Sequence, residues 1–168
     1  LFASPTTENL LRVFFLQERL KAFGKDSAFS PRHVHVVGAG VMGGDIAALC
    51  ALRGMRVTLQ DQTVERIAPA IQRAAKLFER RYKGEARRVR FALDRLTPDP
   101  QAQGVAHAEL IIEAISENLE AKRSVFAELE RHARADAVLA TNTSSLRLED
   151  IACALQAPQR LVGIHFFN

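Results

Sequence analysis

Three short stretches of this 168-residue chain carry side chains whose types and spacing suit chemistry. His165 and Asn168 stand three residues apart in GIHFFN at the end of the chain. An imidazole titrates near neutrality, so it is able to take a proton and return it; the plainer reading is a histidine capping a strand. Ser144 lies in TNTSS, where a hydroxyl donor stabilises negative charge on an oxygen. The same N-T-S-S before a helix is also a good capping sequence, and the residues alone leave both readings open. The third stretch, GAGVMGG, sets Gly38, Gly40 and Gly43 at the spacing G-x-G-x-x-G. There the first glycine permits a tight turn, the second admits a pyrophosphate close to the backbone, and the third lets a helix approach its strand.

The glycines mean something only if a strand precedes them and a helix follows. HVHVV runs into Gly38, and the helical stretch from Met42 to Arg53 turns its free amides and positive dipole end toward the turn. A second strand, VTLQ, ends in Asp61 about 20 residues on, where a ribose-binding acid is expected. Asp61 would accept from both ribose hydroxyls and repel a 2′-phosphate, which favours NAD over NADP; otherwise it is a turn or cap residue before Gln62 and Thr63.

The rest of the chain supplies elements to hold such a site. Short apolar runs at Val34 to Val37, Val57 to Leu59, Leu110 to Ile115, Ala137 to Thr141 and Leu161 to Phe167 read as strands. Their near-continuous apolarity suits a parallel sheet covered on both faces. Helical stretches alternate with them at Met42 to Arg53, Thr63 to Lys83, Leu119 to His132 and Leu146 to Ala154. That alternation predicts an α/β doubly wound, mostly parallel, Rossmann-like sheet. Between Glu85 and Gly104 the pattern is ambiguous: RVRFALDRL looks helical up to Leu96, whereas RLTPD equally suits a third strand. Ahead of the sheet, Leu10, Val13, Leu16, Leu20 and Phe23 recur at helical spacing, and a polar loop ends at Pro31. Residues 1–31 are therefore expected to form a linker helix and loop, and residues 32–168 the nucleotide domain.

Composition narrows the classes of function. Hydrophobic residues make up 48% and charged residues 25%, the balance of an ordinary globular α/β protein. No apolar stretch is long enough to span a membrane, so a cytoplasmic protein is expected. Cys50 and Cys153 have no metal or redox spacing and read as small buried hydrophobes. The net charge of +4 is concentrated in ERRYKGEARRVR, Glu79 to Arg90. Without interleaved aromatics this reads as a solvated helical face, and no nucleic-acid partner is expected. The start at Leu1 and the end after an apolar run suggest a piece of a longer polypeptide.

IIEAISENLEAK (Ile111 to Lys122), ATNTSSL (Ala140 to Leu146) and GIHFFN follow the glycine turn in order. Over residues 33 to 168 they closely resemble the NAD-binding domain of the 3-hydroxyacyl-CoA dehydrogenases. The leading TTENLLRVFFLQERLKAFG also looks like the connector that precedes this domain in multifunctional fatty-acid β-oxidation proteins. The resemblance implies NAD-dependent oxidation of a 3-hydroxyacyl-CoA to the 3-ketoacyl-CoA. It makes His165 the general base, and it places Ser144 and Asn168 on the substrate's oxygens. The implied cofactor contacts are Gly38, Gly40, Val41, Met42, Gly43, Asp61, Gln62, Ala114, Glu117, Lys122 and Asn142, with no metal. Glu117 and Lys122 would lie on the nicotinamide side; by itself Glu117 is also a helix-start acid favoured by the dipole. Lys76, Arg80, Arg81 or Lys83 would meet the CoA phosphates.

In relatives the histidine is paired with a glutamate about a dozen residues downstream, and a helical domain closes the acyl site; both would lie beyond Asn168. A separate fragment is thus expected to bind NAD yet be poorly active. An upstream enoyl-CoA hydratase domain and a thiolase subunit are the expected partners. The competing readings are a dehydrogenase of a free hydroxy acid and a non-catalytic nucleotide-fold interaction module.

Overall fold

A computed structural model describes residues 4–22 and 28–166. The chain divides into two units, residues 1–30 and 31–168. The first holds helix α1, Pro5–Ala22, whose start is set one residue before the expected threonines. Ser4 Oγ accepts from Thr7 N at 3.3 Å, and Pro5 fills the first helical position, where a missing N–H costs nothing. Leu10, Val13, Leu16 and Leu20 lie on this helix, and none of its side chains is buried. Phe23, the last residue of the expected stripe, lies outside the described residues.

In the second unit, strands alternate with helices. They are β1 (His33–Val37), α2 (Val41–Leu52), β2 (Arg56–Gln60), α3 (Val64–Arg81), α4 (Ala86–Leu93) and β3 (Leu96–Pro98), then β4 (Leu110–Glu113), α5 (Leu119–His132), β5 (Val138–Thr141), α6 (Leu148–Ala152) and β6 (Leu161–Gly163). The strands form one sheet in the order β3-β2-β1-β4-β5-β6, and every adjacent pair is parallel. This is the doubly wound order, with its crevice where the winding reverses between β1 and β4. The ambiguous stretch holds both alternatives in succession, α4 and then β3. Pro98 is tolerated because β3 is an edge strand.

Successive strand residues point to opposite faces, which splits the apolar side chains into two layers. Val34, Val36, Val57 and Leu59 pack under α2, α3 and α4 with Ile46, Ile67, Ala70, Ala74 and Phe78. Val37, Ile111, Leu139 and Leu161 pack under α5 and α6 with Phe126, Leu129 and Ile151. One part of the second face is polar. His35, fully buried, bonds Thr58 Oγ1 at 2.8 Å through Nδ1 and Gln60 Oε1 at 2.8 Å through Nε2, while His33 Nε2 lies 3.1 Å from Thr58 Oγ1. Burial, above all, lowers the pKa of both histidines.

Three expectations need correction. Strands β4 and β6 stop at Glu113 and Gly163 rather than Ile115 and Phe167. Ala114 N and Ile164 N still bond backbone carbonyls of the neighbouring strands, and after them the backbone turns to side chains: Ile115 N donates to Glu113 Oε1, and Phe166 N to Asn142 Oδ1. Cys153 is exposed at the end of α6, and Cys50 is only partly buried. The basic run is no single helical face, because Lys83 (φ 51°) and Gly84 (φ 78°) break it between α3 and α4.

Candidate functional site

Each glycine of the turn has a different reason to be glycine. Gly38 has φ 99°, and an added Cβ would stand 2.6 Å from Ala114 O. A Cβ on Gly43 would meet Gly38 O at 1.9 Å. The fold itself requires both. Gly40 differs: its φ of −60° and ψ of −168° suit any residue, and nothing among the described residues lies within 4 Å of an added Cβ. The open space borders the N-terminus of α2, where Gly40 provides no side-chain cap for the first-turn amides of Val41, Met42 and Gly43. Amides and dipole there favour a phosphate group. From α3, Arg73 Nη2 donates to Gly40 O at 2.9 Å and holds the turn from its other side.

Asp61 leaves the end of β2 and reaches back to this turn. Its Oδ2 accepts from Ala39 N and its Oδ1 from Gln62 N, both at 2.8 Å. A cavity of about 550 Å³ runs from Gly38 and Gly40 past Asp61, Gln62 and Arg66 to Ala114. Each carboxylate oxygen keeps acceptor capacity for a hydroxyl. Room at Gly40, uncapped amides and an acid across the cavity fit a dinucleotide whose pyrophosphate lies on α2 and whose ribose meets Asp61.

The carboxyl ends of β4, β5 and β6 carry the remaining residues. Asn142 N donates to Glu113 O at 2.9 Å and Ile164 N to Thr141 O at 3.0 Å. Asn142 Oδ1 accepts from Phe166 N at 3.2 Å, so Thr141 and Asn142 together hold the residues on either side of His165. His165 itself is exposed. Asn168 lies outside the described residues.

Glu117, at the turn from β4 into α5, gathers the loop after β5. Its Oε1 accepts from Thr143 Oγ1, from Ser144 N (2.9 Å), and from Ser145 N and Oγ (3.0 and 3.1 Å). Burial pushes the Glu117 pKa up, but the donors from Thr143, Ser145 and Ser144 and the charge of Lys122 prevail and bring it down to about 2. Lys122 is fully buried, with Nζ 2.6 Å from Glu113 Oε1, 3.4 Å from Glu117 Oε2 and 3.5 Å from Ile115 O. Its donors are directed inward.

Glu113 is a member of this network that motif reading passed over. It is wholly buried and accepts from Thr141 Oγ1 at 2.6 Å as well as from Lys122. The available signal was an acid inside the apolar run LIIEAI with a lysine nine residues later. Of the basic residues assigned to CoA, Lys76 and Arg80 line one cavity of about 420 Å³ with Arg73 and Asp45, and Arg81 and Lys83 do not. Among the described residues no cluster of histidine, cysteine or carboxylate side chains suits a metal, and no helix is long and apolar enough to cross a membrane.

Residues 33–168 match the family model of the 3-hydroxyacyl-CoA dehydrogenase NAD-binding domain. The fatty acid oxidation complex subunit alpha of Ectopseudomonas oleovorans and that of Pseudomonas putida are each 33% identical to this chain. The match covers 98% of the chain and 24% of each relative. The chain thus spans about a quarter of the length of these curated relatives. Among solved structures, 3-hydroxybutyryl-CoA dehydrogenase of Escherichia coli K12 superposes with a TM-score of 0.79 at 36% identity, over 83% of this chain and 30% of that one. FadB2 of M. tuberculosis gives 0.78 at 38%, over 83% and 50%.

Proposed function

Since the chain belongs to the 3-hydroxyacyl-CoA dehydrogenase NAD-binding domain family, with NAD as its cofactor, we propose that it is the cofactor platform and half of the active site of an enzyme that oxidises 3-hydroxyacyl-CoA to 3-ketoacyl-CoA. The observation that carries this is Gly40, a glycine for which neither backbone nor neighbours have a use, facing a cavity that ends at Asp61. The pyrophosphate would be held by Gly38, Gly40, Val41, Met42 and Gly43, the adenosine ribose by Asp61 beside Gln62, and the nicotinamide half above Ala114, near Glu117, Lys122 and Asn142.

Bound NAD supplies the hydride acceptor. His165 takes the proton of the 3-hydroxyl, a task matched to an imidazole. Ser144 and Asn168 hold the substrate oxygens and stabilise charge that builds on them. In the TNTSS loop the hydroxyls of Thr143 and Ser145 are both spent on Glu117, and that of Ser144 takes no part in the clamp. This supports Ser144 as the hydroxyl that meets substrate. Lys76 and Arg80, placed together, suit the CoA phosphates.

The relatives are complex subunits about four times as long. On that basis this polypeptide works in the cytoplasm with further catalytic domains, a hydratase before the dehydrogenase and a thiolase beside it. Isothermal titration of the chain with NAD is expected to show binding that falls at least tenfold in Asp61→Ala. Failure of the unsubstituted chain to bind any dinucleotide would sink the reading. In the complete natural polypeptide, His165→Ala is expected to remove most turnover of 3-hydroxyacyl-CoA, and full activity in that variant would end the assignment of the base.

A further inference from the structure

Glu117 and Lys122 do more in this fold than border the cofactor. We propose that Glu117, held in place by Lys122, is a positioning residue for Ser144: it fixes the turn Thr143 to Ser145 from beneath and leaves only the Ser144 hydroxyl for substrate. The proposal rests on the assignment of Ser144 above.

A single carboxylate oxygen of Glu117 collects donors from three consecutive residues, Thr143 Oγ1, Ser144 N, and Ser145 N and Oγ. Such convergence fixes both the backbone and two of the three hydroxyls in the loop, because each donor that rotates away leaves charge on that oxygen less well solvated. The other oxygen of Glu117 faces Lys122 Nζ at 3.4 Å. Lys122 is anchored in turn on Glu113, 2.6 Å away, and Glu113 on Thr141 Oγ1 and Ile115 N. The contacts therefore form an unbroken line from the buried ends of β4 and β5 to the loop that carries Ser144. Lys122 Nζ donates to Glu113 Oε1 at 2.6 Å and to Ile115 O at 3.5 Å, and its charge faces Glu117 Oε2 at 3.4 Å.

The test uses Glu117→Gln, which keeps the shape and removes the charge, and a double variant, Thr143→Val with Ser145→Ala, which leaves Glu117 intact. In the cofactor-free ¹⁵N-labelled chain, Glu117→Gln is expected to shift the Ser144 and Ser145 amide signals and speed their exchange about tenfold. In the complete natural polypeptide both changes should lower kcat roughly 10- to 100-fold, the cost of misplacing a reacting group by a fraction of an ångström to about 1 Å. Combining the two changes should cost less than the sum of their separate effects. A tenfold loss of NAD affinity in Glu117→Gln, with amide signals and kcat at saturating NAD unchanged, would overturn the proposal in favour of direct cofactor contact. An unchanged kcat in Ser144→Ala would instead defeat the assignment of Ser144, and is told apart because the amides would still respond to Glu117→Gln.

Discussion

The glycine turn separates what the fold demands from what a ligand demands, and alanine at each position measures the two independently. A Cβ at position 43 would stand 1.9 Å from Gly38 O, about 1.5 Å inside ordinary contact, and both partners are backbone on short, tied segments. Overpacking of this kind costs about 1–3 kcal/mol where side chains are able to yield, and Gly43→Ala should reach at least the upper end. Gly38→Ala adds a left-handed φ of 99°, about 1–2 kcal/mol, to a 2.6 Å approach to Ala114 O. Against a domain stability of roughly 5–15 kcal/mol, either change should move the urea midpoint far down. Gly40→Ala meets no atom. It gains about 0.4–1 kcal/mol from a less flexible unfolded chain and loses a similar amount as a poorer N-cap, so its stability should stay within about 1 kcal/mol of the original. Its methyl group occupies the space reserved for the pyrophosphate, and NAD affinity should fall at least tenfold, about 1.4 kcal/mol. Urea unfolding and titration calorimetry on the three variants decide the matter. A Gly40→Ala protein that binds NAD normally, or unfolds as easily as Gly43→Ala, would refute the division of roles.

Lys122→Met leaves Glu113 charged and buried without its partner, which should cost about 3–5 kcal/mol of stability. Adding Glu113→Gln should return much of that loss, and losses that simply add across the two single variants and the double would show that the pair carries no coupling. The lowered pKa values of His33 and His35 mean that the unfolded chain binds protons there more readily than the folded one. Their contribution is complete above the ordinary pKa of 6.5 and is lost as pH falls below it, so the urea midpoint should drop between about pH 7 and pH 5. His35→Gln should flatten that slope, and an unaltered slope would place the titration elsewhere. Glu117, with its pKa near 2 against an ordinary 4.5, contributes fully above about pH 4.5 and progressively less toward pH 2. The Ser144 and Ser145 amide signals should therefore hold steady from pH 5 to 8, and movement within that range would contradict the charge assigned to it.

Much of the architecture was legible because it rests on local pattern. The turn from β1 into α2, the acid after β2, and α5 from Leu119 to His132 follow from glycine spacing and apolar periodicity within about 20 residues. The ends of β4 and β6 were not legible, since they are set by Glu113 Oε1 and Asn142 Oδ1, side chains whose role appears only once distant strands are paired. The same holds within the site. Glu117, Lys122 and Asn142 were readable as polar residues at strand ends, yet their contacts depend on which loop lies beside which. Thr143 and Ser145 could not be distinguished from Ser144 in TNTSS until Glu117 had taken their hydroxyls. His35 was hidden because an alternating strand gives no indication that a polar residue facing inward has a polar neighbour across the sheet.

The row His33, Thr58, His35, Gln60 has a direction. With both imidazoles neutral, Gln60 Oε1 requires a proton on His35 Nε2, which leaves His35 Nδ1 to accept from the Thr58 hydroxyl. Thr58 oxygen is then the acceptor for a proton on His33 Nε2, and His33 Nδ1, buried without a partner among the described residues, is the end that carries none. Every bond points the same way, from the amino ends of the strands toward their carboxyl ends. Gln60 terminates the row with its oxygen turned inward, so what it retains for the cavity it lines is an amide N–H pair. The wall beside Asp61 therefore presents a neutral donor next to an anionic acceptor, a polarity fixed from the opposite end of the sheet.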